Sequence, residues 1–456
     1  MEPFEGKTAG TSGPESVSTR LKRIAELAKE APGMVFTTLA HHIDTDLLRV
    51  AYGLTRKDGA VGVDGQTAAE YEKNLEGNLP VLLDRFKSGR YQAPPVRRVH
   101  IPKGDGSKTR PIGIPTFEDK VLQRAVAMIL EAVYEQDFRN ASYGFRPGRS
   151  AHQALEALRK GLMEMKGGVV LELDIQRFFD TLDHGHLRSF LDRRVRDGVL
   201  RRAIDKWLAA GVLEGGRVHY PESGSPQGGV ISPILANIYL HEVLDVWFED
   251  VVKPRLKGRA ILVRYADDAV IVFSEEGDAK RVMDVLPQRF GKYGLGLHPE
   301  KTRLVPFRKP RLPERNEPPD DRGGSGTFDL LGFTHYWATS RRGFWVVKKQ
   351  TARSRLTRAL KSVSLWLRQH RHESVEEQHV TLTQKVRGHY SYYGITGNAR
   401  ALAAFLFQVG RLWWKWLGRR SQRARLDWSR FNALLKRYPL PPVRIVHSVM
   451  PRAANP

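Results

Sequence analysis

Asp267 and Asp268 lie side by side in LVRYADDAVIVF (residues 262–273), where Leu262, Val263, Val270, Ile271, Val272 and Phe273 otherwise spell a β-strand. An unpaired carboxylate buried in a strand is very costly, and adjacent aspartates also favour turns. The pair is therefore a hairpin tip with two solvated acids, or two carboxylates held at a tip to grip a cation. Asp174 has a matching setting, because it follows the apolar Val169, Val170, Leu171 and Leu173. If the two strands are neighbours, three carboxylates converge. Clustered carboxylates repel one another unless a divalent cation neutralises them. Hard oxygen donors with open positions suit Mg²⁺. Two such ions can stabilise the attacking and leaving oxygens of a phosphoryl displacement.

Two further stretches fit a triphosphate. HIPKGDGSKTRPIGIP (100–115) places Lys103 and Arg110 around a glycine-containing turn, within reach of phosphates; read blandly, it is a basic hairpin. GSPQGGVISP (224–233) sets three glycines around Gln227, which permits close backbone approach to a ligand; read blandly, it is a helix-entry loop. Phe178 and Phe179 are core residues by composition alone.

The elements that must position these groups follow from periodicity. Residues 1–18 read as a disordered start, and helical spacing begins at 19 and continues to 56. Residues 89–116 alternate short strands around a turn at Gly104-Asp105-Gly106. Helices are expected over 118–136, 150–166, 186–213 and 277–293, and a long amphipathic helix after the glycine-rich loop. Residues 308–327 are rich in proline, glycine and charge, and past 350 the pattern is helical and basic. The expected class is α+β with a helical appendage.

Composition narrows the function. A chain of 456 residues accommodates two or more domains. The absence of cysteine excludes disulfides, cysteine zinc sites and cysteine nucleophiles. No apolar signal segment and no run of about 18 apolar residues is visible, so a soluble cytoplasmic protein with no membrane partner is expected. The net charge is +24, and residues 341–456 carry 24 Lys and Arg against 4 Asp and Glu, a net of +20. Six of the nine tryptophans fall there too: Trp345, Trp366, Trp413, Trp414, Trp416 and Trp428. Basic residues interleaved with aromatics suit a polyanion with unpaired bases; the bland reading is a solvated basic face over an aromatic core.

In one order the chain holds RPIGIPTFEDKVLQ, SYGFRPGRSAHQAL, LELDIQRFFDTLDH, GSPQGGVISPILANIYL, RYADDAVIVF, YGLGLHPEKTRLVPF and LLGFTHYW. Together these resemble the fingers and palm of reverse transcriptases encoded by bacterial group II introns. KDGAVGVDGQT resembles their N-terminal extension, and GHYSYYGITGN with RLWWKWLGRRSQ and FNALLKRYPLPPVRIVH resembles their maturase (X, or thumb) region. The likeness covers roughly residues 19–448.

The resemblance implies a right-hand polymerase: an N-terminal extension and start of the fingers over 19–88, fingers and palm with an antiparallel palm sheet over 89–307, a palm end and connector over 308–345, and a helical thumb over 346–456. It implies that Asp174, Asp267 and Asp268 bind two Mg²⁺ ions, with Mn²⁺ as a substitute, joined by the carbonyl of Ile175. Lys103 and Arg110 match the pair that holds the dNTP triphosphate, Phe179 the aromatic that excludes a 2′-hydroxyl, and Gln227 a nucleotide-pocket residue. Tyr265, Ala266 and Lys301 fall on the primer–template side. Arg387, Tyr390, Tyr392, Tyr393, Arg411, Trp413, Lys415, Arg419 and Arg420 fall in the nucleic-acid-binding thumb. The implied partners are group II intron RNA, an RNA template–DNA primer duplex, target DNA and dNTPs, with the protein a monomer or dimer in the bacterial cytoplasm. Relatives often carry a C-terminal HNH endonuclease with cysteine pairs, which this cysteine-free chain is not expected to have. The activity implied is RNA-directed DNA synthesis with maturase function. A maturase-only RNA binder and a domesticated enzyme of defence or repair are the alternatives.

Overall fold

The computed structural model of the protein describes residues 14–103, 108–220, 224, 228–310, 325–340, 342–420 and 426–447. The chain forms two compact units: Met1–Lys103, Thr109–Ala157 and Leu171–Leu304 make the first, and Gly104–Lys108, Leu158–Val170 and Val305–Pro456 the second. The turn expected at 104–106 lies outside the described residues, and so does most of the 308–327 loop.

The first unit is built around the helix Phe117–Tyr134. Thr116 caps it, its hydroxyl accepting from the Asp119 N–H at 3.2 Å. The helix buries Val121, Leu122, Ala125, Val126, Ile129 and Leu130 completely or nearly so, and the helices Pro14–Glu30 and Thr45–Leu54 pack against it. One four-stranded sheet runs in the order Lys108–Ile114, Val96–Lys103, Val212–Glu214, Arg217–His219, with Val96 paired in parallel to Val212. A second runs Arg303–Arg308, Gly167–Leu173, Asp268–Phe273, Ala260–Tyr265. The division between the two units passes through the strands at 167–173 and 303–308.

Two expectations are corrected. The helix expected over 186–213 is two helices, His184–Leu191 and Gly198–Leu208, followed by a strand at Val212–Glu214. Asp197 restarts the chain there: its carboxylate accepts from the N–H groups of Val199 and Leu200 at 2.9 and 3.0 Å, an N-cap in the middle of the apolar spacing. The helix after the glycine-rich loop is not amphipathic. Ser232–Leu240 is buried nearly all round, and the chain then winds in π form through His241–Asp245 and Trp247–Val252.

The second unit begins with an antiparallel sheet of Phe328–Leu330, Phe333–Thr339 and Trp345–Thr351, in register Phe333 to Thr351. The helices Arg353–Gln369, Val375–Tyr393, Ala399–Leu417 and Trp428–Arg437 follow. They share one apolar core around Leu367, Leu382, Val386, Phe405, Val409, Trp413 and Phe431. Ser374 and Glu377 form a capping box that starts the second of these helices. Among the described residues no helix is long and apolar enough to cross a membrane.

Candidate active site

The Asp-Asp stretch is a hairpin. Ala260–Tyr265 pairs antiparallel with Asp268–Phe273, Tyr265 facing Asp268, so Ala266 and Asp267 are the two tip residues. Ala266 is left-handed at φ 56°, a conformation that costs an alanine about 1 kcal/mol and that something must stabilise. Asp267 is half-buried and Asp268 exposed, while Ala269 to Phe273 are buried. Beneath the tip, the wholly buried Arg264 donates from Nη1 to the Ala266 carbonyl at 3.0 Å.

Asp174 leaves the end of Gly167–Leu173, the strand beside the one that Asp268 begins. The three acids thus come from adjacent strands. Asp174 is pinned by GLGLHPEKT (294–302). Its carbonyl accepts from the His298 N–H at 2.9 Å, and its N–H donates to the Thr302 hydroxyl at 3.3 Å. Next to it, Ile175 pairs with Leu297, and its side chain is buried. Lys301 reaches back from the same segment, Nζ lying 3.2 Å from the Asp174 carboxylate. The donor set at the site is all oxygen, which fits a hard cation, and the Lys301 ammonium shows that Asp174 faces positive charge. Among the described residues no three acidic or histidine side chains already stand close enough to hold a metal.

The residues expected on the nucleotide side are reached in part. Arg110 is exposed on the edge strand Lys108–Ile114. Lys103 ends the neighbouring strand, with its side chain outside the described residues, and Gln227 also lies outside them. The described glycines on either side of Gln227 sit tightly against neighbouring backbone. Gly224, at φ 92°, lies so near the Phe179 carbonyl that a Cβ would stand 2.8 Å from it. Gly228, at φ 117°, meets the Gly113 carbonyl in the same way at 2.6 Å. Just beyond, the buried Gln123 carboxamide accepts from the Val230 N–H at 2.9 Å. Phe179 is half-buried, edge-on to Phe178 at 5.3 Å, and sits in the short turn Phe178–Thr181. Only Phe178 of the two is core, at 3% exposure.

In the second unit, Arg387, Arg411, Lys415 and Arg419 are exposed. Lys415 and Arg419 both lie over the Trp416 ring at 5.4 Å, and Arg411 over the exposed Phe407 at 5.9 Å. Arg420 is half-buried and donates to the Glu373 carbonyl at 2.6 Å. Tyr392 donates to the Leu331 carbonyl at 2.8 Å, and Tyr393 packs on Phe333. Tyr390 and Trp413 are corrections: both are buried core residues, and the Trp413 indole donates to Gln378 at 2.9 Å. A heptad-like spacing of aromatics on a basic helix serves the core before it serves a ligand.

The sequence profile described as reverse transcriptase (RNA-dependent DNA polymerase) matches residues 101–335, just over half of the chain. The chain belongs to the reverse transcriptase family. The reverse transcriptase match opens in the strand Val96–Lys103, takes in all three aspartates and closes in Phe333–Thr339. Among curated relatives, the group II intron-encoded protein LtrA of Lactococcus lactis is 40% identical over 229 residues, which are 49% of this chain and 37% of that protein. Protein YkfC of Escherichia coli is 42% identical over 184 residues, 40% of this chain and 48% of that protein. Nuclear intron maturase 2 of Arabidopsis thaliana is 28% identical over 235 residues, covering 42% and 30%. The chain thus spans less than half the length of these curated relatives.

Sequence reasoning passed over Arg264 and Thr302. An arginine inside an otherwise apolar strand run is itself a signal, since a buried guanidinium requires a buried partner.

Proposed function

We propose that this protein is an RNA-directed DNA polymerase of the group II intron type that also acts as a maturase on its intron RNA. The observation that carries this reading is the set of three aspartates at the ends of adjacent strands, Asp267 at a hairpin tip and Asp268 beside it. The family match and the names of the relatives support it. In this reading residues 89–307 are fingers and palm, 308–345 a connector and 346–456 the thumb.

Asp174, Asp267 and Asp268, with the Ile175 carbonyl, would hold two Mg²⁺ ions, or Mn²⁺ in their place. Bound there, such ions would supply charge stabilisation to the phosphoryl displacement. The chain's own residues position the reactants. Lys103 and Arg110 hold the triphosphate, and Gln227 sits at the nucleotide. Phe179 lies under the sugar and disfavours a ribose 2′-hydroxyl. Tyr265 and Ala266 border the primer end. The primer 3′-oxygen bonds to the α-phosphorus as the bond to pyrophosphate breaks, and positioning with electrostatics provides most of the rate. The exposed Arg387, Arg411, Lys415 and Arg419 grip the template–primer duplex and intron RNA.

Primer extension on an RNA template with Mg²⁺ and dNTPs, comparing wild type with Asp267→Asn, tests the reading. Extension by wild type alone, with RNA binding equal in both, is expected. Extension by both would remove Asp267 from the metal site. Extension by neither, with tight intron RNA binding, would replace the polymerase by a maturase alone.

A further inference from the structure

The motif SYGFRPGRS has no role in the reaction described above, yet it lies against the catalytic hairpin. The Arg264 N–H donates to the Ala141 carbonyl, and the Tyr143 N–H donates to the Arg264 carbonyl, both at 2.8 Å. Gly144 comes so close to the tip that a Cβ there would stand 2.3 Å from the Ala266 nitrogen. Asn237, wholly buried, donates to the Gly144 carbonyl at 2.8 Å.

The side chain of Arg264 ties these elements together. Arg264 uses each of its five N–H groups. Nε and Nη2 form a fork on Asp245 at 2.7 and 2.6 Å. Nη2 also donates to the Ser142 hydroxyl at 2.8 Å. Nη1 divides between the Asn237 carboxamide and the Ala266 carbonyl, 3.0 Å each. Arg264 and Asp245 are both at 0% exposure. Asp245 closes the π-wound turn His241–Asp245. The wider turn rotates it away from the place an α-helix would give it, and such turns recur at functional sites.

A buried ion pair of this kind is poorly explained by stability, because well-packed apolar residues often serve as well. Its geometry explains more. The one bond that leaves the cluster upward holds the carbonyl of left-handed Ala266, the residue immediately before Asp267. We propose that Arg264, with Asp245, Asn237 and the Ser142–Gly144 segment, is a positioning clamp that fixes the backbone of the hairpin tip and so the direction in which Asp267 and Asp268 present their carboxylates. The role of the tip rests on the polymerase reading; the clamp itself is a statement about the backbone.

The test is the double variant Arg264→Met with Asp245→Leu. Removing one partner alone would strand a buried charge and unfold the protein, whereas removing both leaves an apolar core of similar volume. Two measurements are made on the full chain. Hydrogen exchange of the peptide spanning the tip is compared with that of the rest of the molecule. Primer extension is resolved into kcat and dNTP KM. The clamp predicts tip exchange at least about tenfold faster, with other peptides unchanged. It also predicts kcat down on the order of 10²-fold, the usual cost of an ångström of misplacement, with KM nearly constant. Tip exchange equal to wild type overturns the clamp whatever the activity. Inactive wild-type protein overturns the polymerase reading, and tip exchange then still decides the clamp. If the double variant does not fold, Asn237→Leu keeps both charges and removes the side chain that ties the guanidinium to the Gly144 carbonyl beside the tip. It should show the same two effects in weaker form, and wild-type exchange and kcat in it overturn the clamp.

Discussion

Lys301 places its ammonium 3.2 Å from the carboxylate of Asp174, a residue 127 positions earlier in the chain. The pair is substantially exposed, so it is worth at most about 1 kcal/mol. It nevertheless sets the ammonium in competition with any cation that Asp174 binds. Lys301→Met should therefore lower the half-saturating Mg²⁺ concentration for primer extension by up to about fivefold. A Mg²⁺ titration checks this. An unchanged midpoint would separate the ion pair from metal binding.

Phe179 is half-buried and set edge-on to Phe178, and its backbone is crowded by Gly224. Phe179→Ala should leave the turn in place and relax discrimination against ribonucleotides by roughly ten- to a hundredfold, about 1–3 kcal/mol of lost exclusion. Competing dNTP and rNTP incorporation measures it. Selectivity equal to wild type would remove Phe179 from the sugar.

The basic helices separate two kinds of residue that look alike in sequence. Arg411→Ala, Lys415→Ala and Arg419→Ala should each weaken RNA binding and lower its salt slope by about one. Trp413→Ala should act on the fold instead, costing about 3–5 kcal/mol by leaving a cavity in the second unit's core. Binding isotherms across salt concentrations and urea midpoints distinguish the two. A Trp413 variant of full stability with weak RNA binding would return it to the surface.

Asp119 carries a pH dependence of its own. Burial pushes its carboxyl up from 3.8 to about 7, against the pull of a hydrogen bond from Tyr91. Between those values the folded protein holds a proton that the unfolded chain has released, so stability falls as pH rises through the window. Asp119→Asn keeps the shape and an acceptor for Tyr91 but has nothing to titrate. Its urea midpoint should fall less than that of wild type between pH 4 and pH 8. Parallel pH profiles would place the proton elsewhere.

The strand assignments around Asp174 and Asp267 were legible because acids interrupting or closing strongly apolar runs leave few alternatives. The order of the motifs carried the family as well. The sequence was silent on what supports those acids. Asp245, Asn237 and Ser142 are polar residues scattered over more than a hundred positions, and only the fold shows that one guanidinium collects them. The π-wound turn has no signature in a run such as HEVLDVWFED, where apolar spacing fits an α-helix equally well. Trp413 and Tyr390 misled for a related reason: composition shows that aromatics accompany charge, but not which face of the helix each occupies.

The pairing of Asp174 with the segment that ends at Thr302 has a bearing on how the protein is made. Asp174 is synthesised early, but its backbone partners His298 and Thr302 follow more than 120 residues later. Closing so long a loop is slow, and a chain emerging from the ribosome carries the acid-bearing strand for many seconds before its neighbour exists. Until then Gly167–Leu173 is an apolar strand with an open edge, the kind of segment that pairs with a wrong partner. The sheet's own connectivity thus leaves that edge open to wrong pairing for as long as its later strands are unmade.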